Sequence, residues 1–128
     1  MRLSAKKRNY RTRELCREGH GSRGMRQYKA QFFQALANPH RIHILELLRE
    51  GPQTVSGLQT KMGIEAPNIS QQLGILRKQH IVYGRKSGTS VIYDVTDRLV
   101  FEILDVSRTM FQNHVAELQS AVLNDTSD

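Results

Sequence analysis

Three breaks, at Asn38-Pro39, Gly51-Pro52 and Gly63, cut the middle of this 128-residue chain into short lengths, and this punctuation constrains the fold more than any other feature. From about Tyr28 to Ala37, Phe32, Phe33 and Leu36 recur at helical spacing until Asn38-Pro39 interrupts them. Pro39 then opens a second helix, where a first-turn proline lacks only a donor that would be unpaired anyway. Ile42, Ile44, Leu45, Leu47 and Leu48 supply its apolar surface, and Gly51-Pro52 ends it. Thr54-Val55-Ser56 reads as a short extended piece and helix cap, and Val55, Leu58 and Met62 mark a short helix stopped by Gly63. After a tight turn through Ile64 and Glu65, a fourth helix is predicted from about Pro67 to Gln79. It turns Ile69, Leu73 and Leu76 inward and Asn68, Ser70, Gln71, Arg77 and Lys78 outward. A short helix, a brief turn and a second helix make a helix-turn-helix pattern.

Two strand-forming runs follow, Ile81 to Lys86 and Ser90 to Val95, separated by Ser87-Gly88-Thr89. They predict a hairpin, or wing, whose tip carries Arg85 and Lys86 beside a glycine turn, as a loop lying against phosphates requires. The last helix is predicted from about Asp97 to Val122. Val100, Leu104, Ser107, Phe111, His114, Leu118 and Ala121 fall on it at alternating steps of four and three, a heptad-like seam. Ile103, Met110, Val115 and Val122 widen the seam, so this helix is expected to bury against a second subunit as well as its own core. The predicted fold class is mainly α with a small β-hairpin: a winged helix-turn-helix over residues 28–123, followed by a tail at 124–128.

Composition agrees. A chain of this length has room for one core, and 38% hydrophobic residues with only 6% aromatic ones and no tryptophan require that core to be built from Leu, Ile, Val and Ala. The formal charge of +7 is unevenly placed. Residues 1–29 hold 10 Lys and Arg against 2 Asp and Glu, leaving 9 against 10 for the rest, so a basic arm over 1–27 produces the high isoelectric point. That arm is expected to be disordered, and Met25, just before the first amphipathic helix, is an alternative start. The single cysteine, Cys16, cannot form an internal disulfide and fits a reducing compartment. No apolar run approaches the roughly 18 residues of a membrane span, and the basic start lacks the apolar stretch of a secretory signal. A cytoplasmic protein without membrane association is expected.

With the elements placed, residues 32 to 95 resemble the ArsR/SmtB family of bacterial winged-helix regulators. The resemblance rests on Ala35-Leu36-Ala37-Asn38-Pro39-His40-Arg41-Ile42, Ile44-Leu45-Glu46-Leu47-Leu48, Ile69-Ser70-Gln71-Gln72-Leu73 through Leu76, and the Gly88 to Tyr93 hairpin. It implies a homodimer joined through its first and last helices and binding double-stranded DNA at a promoter or operator. Each subunit would set a recognition helix in the major groove and a wing on the flanking backbone, with transcription repression as the outcome. Three departures stand out: Gln72 where the family often has His, Glu65 at a cap position more often Ser, and His80 in place of a glycine after the recognition helix.

Asn68, Ser70, Gln71 and Gln72 occupy the first turns of that helix, where amides make paired bonds to base edges and hydroxyls hold phosphate. Arg77, Lys78, Arg85 and Lys86 are placed to neutralise phosphates, with Thr89 at the wing tip completing the DNA-binding set. Arg41 is weighed towards a structural salt bridge or cap. Phe32, Val100, Leu104, Ser107, Phe111, His114 and Leu118 form the expected dimer interface.

The resembling family often senses metals, but Gly63-Ile64-Glu65-Ala66-Pro67 holds no thiol. Asp105, His114 and Glu117 are ligand-capable, yet their spacing departs from the family's last-helix motif, and Ser107 stands where that motif has its first histidine. No metal or cofactor is expected, and no inducer is indicated. His40 and His43 share a face but have Ile42 and Ile44 as neighbours, which favours a surface-plus-core role. No nucleophile with a base partner and no phosphate loop after a strand is present, so no enzyme is expected. The competing readings are a winged-helix protein-interaction module and a metal-responsive repressor. RNA binding is disfavoured by the scarcity of aromatic residues for stacking.

Overall fold

The computed structural model describes residues 23–125. Helix α1 spans Arg23–Leu36, so it begins before the predicted Tyr28, and residues 23–27, expected to belong to a disordered arm, are helical. Those residues have no apolar periodicity to announce them, but a helix already fixed by Phe32, Ala35 and Leu36 gains one hydrogen bond per residue as it extends. Cys16 and the rest of the basic segment lie outside the described residues.

Helix α2, Pro39–Arg49, is capped by Asn38, whose Oδ1 accepts from the backbone N–H of His40 and Arg41 at 2.9 and 3.3 Å. Next comes β1, Gln53–Thr54, and Thr54 also caps α3, Val55–Met62, by accepting from the Gly57 N–H at 3.0 Å. Helix α3 stops at Gly63, whose φ of 68° suits a residue without a Cβ. Helix α4, Ala66–Lys78, has Glu65 at its N-cap, but the carboxylate makes no capping bond.

The end of α4 is a Schellman turn. The His80 N–H donates to Arg77 O at 2.9 Å and the Ile81 N–H to Leu76 O at 3.0 Å, with Leu76 and Ile81 both buried. His80 takes the left-handed position at φ 59°, the only non-glycine with positive φ among the described residues. This explains the third departure noted above, since that backbone conformation is one that glycine adopts at no steric cost.

Strands β2, Val82–Ser87, and β3, Ser90–Val95, pair antiparallel from Val82↔Val95 to Ser87↔Ser90. Gly88 supplies a φ of 62° at the first central position of the two-residue turn, as a II′ hairpin requires. The wing is not a bare hairpin: β1 pairs with β3 through Gln53↔Tyr93 and Thr54↔Ile92, giving a sheet of order β1-β3-β2. The short extended piece expected at Thr54 to Ser56 is thus a strand at Gln53–Thr54, and its pairing with β3 is what two residues, too few to show alternation, did not reveal. Helix α5, Leu99–Asp125, runs past the predicted end at Val122, so Asn124 and Asp125 are helical rather than tail; residues 126–128 lie outside the described residues.

One core joins every helix to the sheet. Ile44, Leu45 and Leu48 of α2, Leu58 of α3, and Ile69, Leu73 and Leu76 of α4 are essentially fully buried. Ala35 and Leu36 close it from α1, Ile81, Val82 and Val95 from the wing base, and Val100 and Phe101 from α5. The effect is to hold α4 by one face and leave the opposite face outside. Among the described residues no helix is long and apolar enough to cross a membrane.

Candidate nucleic-acid interface

Ile69, Gln72, Leu73 and Leu76 recur on α4 at i, i+3, i+4 and i+7, and all four are buried. The other face carries Ser70, Gln71, Arg77 and Lys78, all exposed, with Asn68 half-buried at its edge. Arg77 and Lys78 stand in the last turn, where cations also favour the helix dipole. The sequence reading of these five residues as outward or accessible agrees with their placement.

Gln72 departs from that reading. It is 8% exposed, and both ends of its amide are engaged within the protein. Its Oε1 accepts from Arg41 Nη1 at 2.8 Å and its Nε2 donates to Asn68 Oδ1 at 3.0 Å. The spacing with Ile69 and Leu73 carried the signal for burial; a polar side chain on an apolar stripe concealed it. Arg41 in turn donates from Nε to Ala35 O at 2.6 Å and from Nη2 to Gln34 O at 3.3 Å. It therefore bonds carbonyls of the last turn of α1, a structural role as expected, but at the end of the first helix and through hydrogen bonds in place of a salt bridge.

Arg85, Lys86 and Thr89 are exposed on the wing. Consecutive strand residues face opposite ways, so Lys86 shares the face of buried Val82 and Arg85 that of Tyr83. The two cations flank the ribbon rather than forming one patch. Gly84 precedes them on β2, and a Cβ there would come within 2.8 Å of Val91 and 3.0 Å of Tyr93, so the bare backbone lets Tyr93 lie across β2.

The expected dimer residues separate into two groups. Val100 is buried in its own subunit's core, while Phe32 and Leu104 are half-buried beside it. Val100 therefore leaves the outer seam, because the first turn of α5 is what closes the core. Ser107, Phe111, His114 and Leu118 are exposed, as are Val106, Met110, Val122 and Leu123. From Ser107 to Asp125 every residue but Val115 is exposed, so most of a helix about 40 Å long projects beyond the core. On α1, Tyr28 and Phe33 are also exposed, stacked against or edge-on to Phe32 at 6.4 and 5.5 Å.

Asp105, one of the ligand-capable residues of α5, pairs with Arg49. Among the described residues no three His, Cys, Asp or Glu side chains gather in a way that would hold a metal ion.

The family model described as bacterial regulatory protein, arsR family, matches residues 38–83, the segment from the α2 cap to β2. The HTH-type transcriptional regulator Rv0081 of Mycobacterium tuberculosis is 41% identical over 98 residues, covering 76% of this chain and 85% of that protein. Its crystal structure superposes with a TM-score of 0.68 at 38% identity, over 75% of this chain and 97% of that one. The solution structure of Mb0332 from Mycobacterium bovis, described as a homodimeric winged helix-turn-helix DNA-binding domain, gives 0.67 at 26% identity over 76% and 92%. A biofilm growth-associated repressor of Xylella fastidiosa is 32% identical over 82 residues, 64% of this chain and 72% of that protein. Matched by the family model from the α2 cap into β2, and 41% identical to a relative over 85% of that protein's length, the chain belongs to the ArsR family of bacterial regulatory proteins.

Proposed function

We propose that this protein is a homodimeric transcription repressor that binds double-stranded DNA, placing α4 in the major groove and the wing against the flanking backbone. The observation that carries the reading is the two-sided α4. Its buried face fixes the helix to the core, and its other face offers Ser70, Gln71, Asn68, Arg77 and Lys78 at the surface. Base edges are read by amides and hydroxyls, while cations supply sequence-independent attraction to phosphates. Relatives named as a homodimeric DNA-binding domain and as a repressor support the same reading.

The dimer assignment rests on α5 and α1. A projecting helix carrying Met110, Phe111, Leu118 and Val122 on its surface gains little from its own subunit, and tertiary packing supplies most of a helix's stability in proteins. A second copy of α5, with the aromatic band of α1, covers that surface. A cytoplasmic, non-enzymatic protein follows from this role.

Selection of bound fragments from genomic DNA, followed by anisotropy titration, tests the proposal. The selected site is expected to bind at least about a thousandfold more tightly than random DNA of equal length. Equal affinity for both would overturn it.

A further inference from the structure

A row of hydrogen bonds runs one way, donor to acceptor, from the foot of α2 to the edge of the α4 surface. It begins at Arg41, whose guanidinium has five donors and no acceptor. Two carbonyls of α1, Ala35 O and Gln34 O, hold it on one side. On the other side Nη1 meets an oxygen of the buried Gln72 amide. The reverse orientation of that amide would set NH2 against guanidinium in a buried site, leaving donors on both sides unpaired, at a cost that an amide flip removes. Gln72 is therefore turned with Oε1 to Arg41 and Nε2 to Asn68.

The same logic passes to Asn68. Its Oδ1 is taken by Gln72 Nε2, which leaves the Nδ2 donors as the end of the amide not used inside the protein. Asn68 is the third residue of α4, in the first turn, where recognition helices meet base edges. An asparagine that reads adenine lays its oxygen and its nitrogen side by side against N6 and N7. With Oδ1 turned toward the buried Gln72, that fork would need the oxygen's second lone pair to face the groove as well, whereas Nδ2 carries two donors that no bond inside the protein uses. Two donors without an acceptor match guanine, whose N7 and O6 are adjacent acceptors. Gln71 differs, because no hydrogen bond from another described residue sets its amide, and it remains able to present either end.

We infer that Arg41, acting through Gln72, is a positioning residue that fixes the Asn68 amide with its donors outward, so that Asn68 selects guanine in the major groove. This rests on the DNA-binding reading above and specifies one base contact within it.

The test uses the full-length protein and a randomised duplex library, selected in parallel with wild type, Asn68→Ala and Gln72→Glu, with thermal melts of each. Asn68→Ala is expected to relax one position per half-site that is guanine in the wild type. Replacing that guanine by 7-deazaguanine should weaken wild-type binding about tenfold and leave Asn68→Ala unaffected, a measurement that needs no refolded core variant. Gln72→Glu still accepts from Arg41 but cannot donate, so Asn68 turns its nitrogen inward and its oxygen outward. Preference at that position should then move from guanine to a base with a donor, adenine or cytosine, while the other positions keep theirs. A purely structural role for Arg41 and Gln72 would lower binding to all sequences together and leave the preference in place. The inference is overturned if Asn68→Ala relaxes no position, if the relaxed position holds adenine or cytosine in the wild type, if 7-deazaguanine is tolerated, or if folded Gln72→Glu keeps guanine. Enrichment of no sequence at all by the wild type would overturn the DNA-binding reading itself, and this inference with it.

Discussion

Arg49 and Asp105, 56 positions apart in the chain, are joined by two parallel hydrogen bonds, Nη1 to Oδ1 at 2.6 Å and Nη2 to Oδ2, which tie the last turn of α2 to the second turn of α5. The Arg49 guanidinium also lies over the Phe101 ring, 5.3 Å from its centroid, with Arg98 at 5.0 Å. This fork and ring thus add to the hold that Val100, Phe101, Ile103 and Leu104 give the first turns of α5 on the core. The hydrogen bond from Arg49 holds the Asp105 carboxyl below its ordinary value, and the same bond raises Arg49.

A pH dependence follows. Because the folded-state value of Asp105 is lowered, the stabilisation is present above the unfolded value of about 3.9 and disappears as pH falls through the folded value. Asp105→Asn should therefore melt below wild type at pH 6 to 7, with the gap narrowing as pH falls below about 4. Both side chains are about half exposed, so added salt should shrink the gap at neutral pH as well. A difference in melting temperature that stays constant across this range would show that Asp105 acts through packing rather than charge.

His80 occupies a left-handed backbone position at the Schellman turn that ends α4. A non-glycine residue costs about 1–2 kcal/mol there, and the greater freedom of glycine in the unfolded chain returns part of any gain. His80→Gly should stabilise the fold by about 0.5–1 kcal/mol, a rise of a few degrees in melting temperature at fixed protein concentration. A lower melting temperature would mean that the imidazole's own contacts outweigh the strain.

Phe111 is 66% exposed and Leu118 54% exposed on the projecting part of α5. Replacing both by Glu should convert the dimer to a monomer at micromolar concentration by light scattering, with helical circular dichroism largely kept, since neither side chain belongs to the core cluster. DNA affinity should fall steeply, because two linked half-sites become one. A double variant that remains dimeric would remove α5 from the interface.

The α4 surface and the wing should fail differently. Gln71→Ala is expected to cost about 1–3 kcal/mol on the selected site and little on random DNA, with its salt slope nearly unchanged. Replacing Arg85 and Lys86 together by Ala should weaken both DNAs and flatten the logarithmic salt dependence by about one to two units per subunit. Since the two cations stand on opposite faces of the wing, the single replacements should be unequal. Normal binding by the wing variant, together with equal losses on both DNAs for Gln71→Ala, would misplace the reading surface.

By itself the sequence determined the order and nature of the main elements. Proline and glycine breaks act locally on backbone angles, and apolar spacing is set by helix and strand periods, so both are written in neighbouring residues. That is why α2, α3, α4 and the hairpin appear close to their predicted limits. What only the tertiary structure decided depends on residues distant in the chain. The pairing of Gln53 and Thr54 with β3 needs a partner strand about 40 positions away. Whether Val100 faces its own core or a second subunit depends on where the first turn of α5 lands, which the core built from α1 to the wing base decides. Gln72 shows the limit most sharply. Its residue type speaks for the surface and its spacing for the interior, and it rests inside because Arg41, 31 positions earlier and held by the α1 carbonyls, supplies the donor that a buried amide oxygen requires.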